Sequence, residues 1–185
     1  MKLLLSVLVL FFLEACIHKP AISEDRVKEN SLPQHIEYKY NVGDLDNDGK
    51  SDTAIVKYDM FFNPEECANP SCNVNVDFSG TIPSLDFDMS MGILVTETED
   101  LNNDGINEIL LFSRTFEGWW QKMYVYSFKN KKWTELAQGK AFCSDEKDFE
   151  NRIIKKTTDE FALVTDVYND ETAEYNRTEI IFKIK

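Results

Sequence analysis

Two stretches of nine residues share one pattern: Asp44-Leu45-Asp46-Asn47-Asp48-Gly49-Lys50-Ser51-Asp52 and Asp100-Leu101-Asn102-Asn103-Asp104-Gly105-Ile106-Asn107-Glu108. Each places oxygen-bearing side chains at positions 1, 3, 5 and 9 around a glycine at position 6. Calcium takes about six to eight oxygen ligands, and alternate side chains of a short loop can face one ion only where the chain turns sharply. Gly49 and Gly105 permit that turn, because glycine enters left-handed conformations without a steric penalty. The pattern predicts two calcium loops.

The predicted ligands are the side-chain oxygens at those four positions and the backbone carbonyl oxygen at position 7. They are Asp44, Asp46, Asp48, Lys50 (backbone O) and Asp52 in the first loop, and Asp100, Asn102, Asp104, Ile106 (backbone O) and Glu108 in the second. The second loop has one charge fewer, so we expect it to bind calcium more weakly. A hydrated acidic turn without metal is the alternative interpretation of either loop taken alone.

Neither loop is an EF-hand, which closes with a glutamate at position 12 and is flanked by helices. Position 12 holds Ile55 in the first loop and Leu111 in the second. The residues that follow each loop, 53–58 and 109–113, are short, apolar and partly β-branched, which is typical of strands. Each loop is therefore predicted to lead into a strand.

The rest of the chain predicts an all-β fold. Short runs rich in Val, Ile, Phe and Tyr predict strands at His35–Tyr40, Thr53–Asp59, Val74–Phe78, Ile93–Thr98, Glu108–Arg114, Lys122–Phe128, Trp133–Ala137, Phe161–Tyr168 and Thr178–Ile184. Residues 129–132 are predicted to form a hairpin turn, and only Ser144–Lys155 has a weakly helical, charge-rich character.

The loops begin at residues 44 and 100, 56 residues apart, which is close to the length of one four-stranded propeller blade. The chain is long enough for about three blades, whereas a closed propeller has about four or more. We therefore expect a compact, propeller-like antiparallel β fold with two calcium loops; a β-sandwich is the alternative.

At this point the chain resembles a known family. Gly43 to Asp52, followed by Thr-Ala-Ile-Val, resembles the FG-GAP or VCBS repeat, the calcium-loop unit of integrin α-chain propellers and of many bacterial surface proteins. The second copy, Glu99 to Phe112, has Glu99 in place of the glycine and Asn102 in place of an aspartate. The resemblance implies that the acids and Asn102 named above are ligands of two structural Ca²⁺ ions.

The first residues predict the compartment. An apolar run, Leu3–Leu13, follows Met1-Lys2 and is typical of a secretory signal peptide. Leu13-Glu14-Ala15-Cys16 resembles a bacterial lipobox, in which the cysteine is lipidated after removal of residues 1–15. We therefore expect a lipidated cysteine and linker over 16–34, a β domain over 35–185, and a lipid-anchored protein of the cell envelope, at the outer membrane and facing the periplasm or the surface. An ordinary signal peptide cut elsewhere is the alternative.

Charge and cysteine content narrow the classes of partner. The formal net charge is −13, which disfavours nucleic acid, because nucleic-acid binding depends on cationic side chains. In an oxidising envelope, Cys67 and Cys72 are candidates for a local disulfide, with Cys143 buried or replacing one of the pair. Catalytic or zinc-binding roles of these cysteines are poorly supported, because no histidine lies near them in the sequence; the only histidines are His18 and His35, in or near the linker.

The sequence favours a binding protein over an enzyme. It contains no GxSxG, HExxH or P-loop motif, and clustered carboxylates suit metal better than general acid–base chemistry, although a hydrolase using calcium as a Lewis acid stays open. We expect a calcium-binding module for a protein or polysaccharide of the envelope, with Trp119-Trp120 as a contact or a sheet-edge cap. The alternative is a periplasmic inhibitor or immunity protein against a lysozyme-like cell-wall hydrolase.

Overall fold

The computed structural model describes residues 34–60, 72–115, 119–142 and 151–184. These residues form eleven strands and no helix. The strands are β1 (Gln34–Asn41), β2 (Thr53–Met60), β3 (Val74–Phe78), β4 (Leu85–Phe87), β5 (Ser90–Glu97), β6 (Ile109–Thr115), β7 (Trp120–Lys129), β8 (Lys132–Phe142), β9 (Ile153–Lys155), β10 (Glu160–Asn169) and β11 (Glu174–Lys183). The predicted all-β class is confirmed.

The strands form three antiparallel sheets, which we call A, B and C. Sheet A has the order β1-β2-β3-β4, sheet B the order β5-β6-β7-β8, and sheet C the order β11-β10-β9. Neighbours in each sheet are also neighbours in the sequence, so every sheet is a meander. None of the three closes on itself within the described residues.

Sheet B is buried on both faces. Side chains alternate across a strand, and in β6 Ile109 and Leu111 pack into one core with residues of sheet A, such as Val56 and Val76. Residues Leu110 and Phe112 point the other way and pack into a second core with Phe161 and Leu163 of sheet C. The continuous apolar run of β6 is therefore explained by burial on two sides.

Most predicted strands are confirmed with shifts at their ends, but two strands escaped prediction. Strands β4 and β9 have three residues each, too few to show alternation. The weakly helical character assigned to Ser144–Lys155 is wrong at its end, because Ile153–Lys155 is β9 and pairs with β10; residues 143–150 lie outside the described residues.

The predicted hairpin turn joins β7 to β8. Its central residues, Asn130 and Lys131, have φ values of 52° and 60°, and Lys129 pairs with Lys132 across it. Two successive left-handed residues match the twist of a two-residue hairpin. The turn is confirmed.

Several predictions fall where the structure gives no description. The signal peptide, Cys16, the linker up to residue 33, Cys67 and Cys143 lie outside the described residues. Cys72 is disulfide-bonded, and its partner is likewise outside the described residues. In the described part of the chain, no helix has the length and apolar character needed to cross a membrane.

Candidate metal centre

The two acidic loops occupy equivalent places in two sheets. The first connects β1 to β2, and the second connects β5 to β6. Their backbones also match, because position 4 is left-handed in both loops (Asn47, φ 59°; Asn103, φ 57°). Position 6 is left-handed as well, with φ values of 85° at Gly49 and 89° at Gly105. The repeat seen in the sequence is therefore a repeat of conformation.

In both loops the first aspartate organises the turn. The Asp44 carboxylate accepts hydrogen bonds from the backbone N–H groups of Asp48 (3.0 Å) and Gly49 (2.8 Å). The Asp100 carboxylate accepts the corresponding bonds from Asp104 (3.2 Å) and Gly105 (2.9 Å). Short polar side chains that bond to nearby backbone N–H groups stabilise turns of this kind.

The side chains at positions 3 and 5 continue the same pattern, because an oxygen of each accepts a hydrogen bond from a backbone N–H of the turn. In the first loop, Asp48 N–H bonds to Asp46 Oδ1 (3.2 Å) and Lys50 N–H bonds to Asp48 Oδ1 (2.8 Å). In the second, Asp104 N–H bonds to Asn102 Oδ1 (2.9 Å), and Ile106 N–H bonds to Asp104 Oδ1 (3.1 Å).

The loops bring carboxylates together into two clusters. Asp44, Asp46 and Asp48 each offer an oxygen within 4.8 Å of the others. In the second loop, Asp100, Asp104 and Glu108 likewise each offer an oxygen within 4.8 Å of the others. Carboxylate and amide oxygens are the hard ligands that calcium prefers, so the donor set fits this ion.

Asp52, the predicted closing ligand of the first loop, holds the loop to sheet A. Its side chain is buried; Oδ2 accepts the Leu45 N–H (3.0 Å) and Oδ1 accepts the Ser79 hydroxyl (2.6 Å). Ser79 Oγ in turn accepts the Thr53 N–H (3.0 Å). The geometry thus shows an anchoring role for Asp52, which is not one of the three clustered acids of the first loop, and its role as a ligand stays a prediction.

Glu108 occupies the same place in the second loop and is 1 % exposed. Its carboxylate accepts the Leu101 N–H (2.6 Å) and the Asn102 amide N–H (2.6 Å). Burial raises the pKa of Glu108 to about 7, and the charges of Asp100 and Asp104 add to the rise. Hydrogen bonds from Leu101 and Ser127 oppose it. A bound divalent cation would favour the ionised form of this carboxylate.

The leucine at position 2 connects each acidic loop to a hydrophobic core. Leu45 is 1 % exposed and belongs to the core between sheets A and B. Leu101 is fully buried and belongs to the core between sheets B and C. Because the backbone N–H of each leucine bonds to the position-9 acid, each closing carboxylate lies at the edge of a hydrophobic core.

Two lysines compensate charge in the second loop. The Lys129 Nζ lies 3.1 Å from Asp104 Oδ2, and the Lys155 ammonium donates to the Asp100 carbonyl and to Asn103 Oδ1. In the first loop, Lys50 Nζ is 3.7 Å from Asp48 Oδ2, and both side chains are at least half exposed. These cations reinforce the expectation that the second loop binds calcium more weakly.

Gly43 and Glu97 link the flanks of the two loops. Gly43 has a φ of 72°, and a Cβ placed on it would lie 2.1 Å from Glu97 Oε1. The same Glu97 oxygen accepts the amide N–H of Asn107 in the second loop (2.7 Å). The positive φ of Gly43 therefore favours glycine, and a side chain there would in addition displace the flexible Glu97 carboxylate from Asn107.

Sequence reasoning did not find the partners supplied by distant strands. Ser79, Ser127, Lys129 and Lys155 contact the loops from other elements, and no local motif marks them. The carbonyl oxygens of Lys50 and Ile106 remain predicted ligands.

An aromatic group lies at one end of sheets B and C. Trp120 contacts Phe142 (ring centroids 5.4 Å apart) and Tyr175 (5.6 Å), and Phe142 stacks on Tyr175 at 3.6 Å. Trp119 is 66 % exposed. The two tryptophans thus differ in burial, but not through alternation along a strand: Trp120 is the first residue of β7, whereas Trp119 lies in the turn before it and presents a large ring to solvent.

Comparison with family models, with curated proteins and with solved structures found no match for this chain.

Proposed function

We propose that this protein is a calcium-binding module of the bacterial cell envelope that recognises a protein or polysaccharide partner without catalysing a reaction. The observation that supports it is the recurrence of one loop conformation, with clustered carboxylates at equivalent positions, between the first and second strands of two four-stranded sheets. A hydrated surface turn has no need for this arrangement to occur twice.

The same observation supports the FG-GAP or VCBS assignment and a propeller-like relation between sheets A and B. Both sheets have four strands in sequence order, and each has its loop at the same connection. Calcium in these loops is structural: it would neutralise carboxylates that otherwise repel one another and would hold the strand connections in place.

Exposed aromatic rings support a binding role. Trp119, Tyr168 and Tyr175 are 66 %, 42 % and 43 % exposed, and aromatic residues are enriched at binding hot spots. A partner surface of this kind suits an adhesion module and also suits an inhibitor or immunity protein against a lysozyme-like cell-wall hydrolase, which remains the alternative.

Thermal unfolding with and without calcium tests the metal site. For dissociation constants of about 10⁻⁴–10⁻³ M, 5 mM calcium stabilises one site by about 1–2 kcal/mol, or roughly 3–8 °C in a domain of this size. Asp48→Ala should reduce the increase and Asp48→Ala with Asp104→Asn should abolish it, whereas Asp170→Ala, in the β10–β11 turn, should retain it. A wild-type melting temperature that calcium leaves unchanged would contradict the proposal.

Affinity capture from an envelope extract tests the partner. The wild-type chain is used with calcium and with chelator, and the double variant is the matched control. Calcium-dependent recovery of a receptor or polysaccharide supports the adhesion module, and recovery of a muramidase supports the alternative. Recovery of the same partner by the double variant would argue against a calcium-dependent surface.

A further inference from the structure

A cavity of about 280 Å³ opens beside the second loop. It is formed by Asn102 and Asp104 of the loop, Lys129 of β7, Thr134 and Leu136 of β8, and Asp159 of the β9–β10 turn. The volume lies just below the usual range for small-molecule sites, about 300–1,000 Å³, and is suited to a ligand of the size of one sugar or amino acid.

Asp104 is the acid that connects the cavity to the loop. Its side chain is only 9 % exposed, and its Oδ2 is buried without a hydrogen bond from any described residue. The Lys129 Nζ, 3.1 Å away, balances the charge of this oxygen. Lys129 itself is 59 % exposed, so its long side chain has room to move within the cavity.

We propose that this cavity binds a small hydroxylated carboxylate, such as a sugar acid, and that it does so when calcium occupies the second loop. Calcium would bind the Asp104 carboxylate, neutralise its charge and repel the nearby ammonium group of Lys129. Lys129 would then pair with the carboxylate of the ligand instead of with Asp104. This inference rests on the proposed function, because it requires calcium in the second loop.

The remaining lining explains why the ligand carries hydroxyl groups. The Asp159 carboxylate is an acceptor that repels a second anion and favours a hydroxyl donor. Ser127 is already occupied, because its Oγ accepts the Asn102 amide N–H (3.0 Å) and its hydroxyl donates to the Glu108 carboxylate, so Asp159 is the group that would recognise a ligand hydroxyl. Leu136 supplies an apolar wall for the carbon skeleton. A ligand with a carboxylate near Lys129 and a hydroxyl near Asp159 would give both of these charged side chains a partner.

An NMR titration of the full chain with galacturonate tests the proposal. In saturating calcium we expect shifts of the backbone amides around Ser127–Leu136, with binding at least about tenfold weaker in chelator and at least about tenfold weaker in Lys129→Met. Lys132→Met, an exposed neighbour in the same hairpin, should bind like the wild type. Galactose, which lacks the carboxylate, and N-acetylalanine, which lacks the hydroxyl groups, should bind more weakly than galacturonate.

Calcium binding is measured on the same samples, so that the two failures are distinguishable. Calcium binding without galacturonate binding would overturn this inference alone, and the absence of calcium binding would overturn the proposed function with it. The inference would also be overturned if galacturonate bound equally well to Lys129→Met, or equally well to the wild type in chelator. Equal affinity of the wild type for galactose and galacturonate would overturn it too. Because Lys129→Met removes a cation next to Asp104, it should keep its calcium site, and a loss of galacturonate binding cannot then be ascribed to lost metal.

Discussion

Asp52→Ala should destabilise the protein even when no metal is present. The Asp52 carboxylate is 8 % exposed and accepts the Leu45 N–H and the Ser79 hydroxyl. The substitution removes both acceptor oxygens at once. The expected result is a loss of stability in chelator, where a residue that only binds calcium would have no effect.

The size of the loss follows from the two hydrogen bonds. A hydrogen bond to a charged group contributes about 1.5–3 kcal/mol, and a buried donor left without a partner costs a comparable amount. Leu45 is 1 % exposed, so its N–H bears the full penalty, whereas the less buried Ser79 hydroxyl can turn to water. Relief of repulsion from Asp44 and Asp48 offsets about 1 kcal/mol at most. We expect a net loss of about 3–4 kcal/mol.

Urea unfolding in chelator measures this loss. With an m value of about 2 kcal/mol per molar, the midpoint should fall by roughly 1.5–2 M. Asp52→Asn keeps an acceptor oxygen for Leu45 and should lose less than half as much. Asp48→Ala, whose carboxylate is 50 % exposed, should stay within about 0.5 kcal/mol of wild type. Equal midpoints for Asp52→Ala and Asp48→Ala in chelator would refute the anchoring role.

Three further substitutions probe the surroundings of the loops. Gly43→Ala should lower the free energy of unfolding by about 1–2 kcal/mol because of the positive φ, and by a further amount because the new Cβ displaces Glu97. Gly49→Ala has open space around its Cβ position and should cost only the strain of the positive φ. Equal losses in urea unfolding would exclude a cost from the Glu97 contact. Lys129→Met should tighten calcium binding to the second loop in calorimetry, because it removes a competing cation 3.1 Å from the Asp104 carboxylate; weaker binding would contradict this. The pKa of Glu108 is raised from 4.5 to about 7 in the folded protein, so the folded state holds the Glu108 proton more tightly than the unfolded state. The stability that this proton contributes is therefore fully present below about pH 4.5 and is lost as pH rises through about 7. Urea unfolding in chelator between these pH values should show this decline, and Glu108→Gln should reduce it; an unchanged decline would assign it to other groups.

The strands could be predicted because their sequences carry local information. The strand Val74–Phe78, for example, shows the alternation of a half-buried surface. A three-residue strand such as Leu85–Phe87 has no room for a pattern, and its pairing with β3 is set by the tertiary structure. The burial of β6 on both faces agrees with its apolar run, but the run alone does not indicate which sheets cover it.

The loops could be predicted as a set of residue types but not as a set of roles. Position and residue type identified Asp52 and Glu108 as closing acids, yet both also bond to the leucine N–H at position 2. That second role depends on the leucine entering a core, which spacing does not reveal. The lysines of the second loop come from β7 and β9, 25 residues or more along the chain from Asp104, so only the fold brings them to the loop.

The difference between the loops lies in what surrounds them. The first loop is covered mainly by solvent: Asp46, Asp48 and Lys50 are all exposed. The second is held against the β9–β10 turn, because Asn103 donates to the Thr158 carbonyl and Lys155 donates to the Asp100 carbonyl. A protein lysine and a metal ion both reduce the repulsion among clustered carboxylates, but a tethered lysine is present at every calcium concentration. We therefore expect chelator to change the backbone of the first loop more than that of the second, because contacts with Lys129, Lys155 and Thr158 hold the second loop in place without metal.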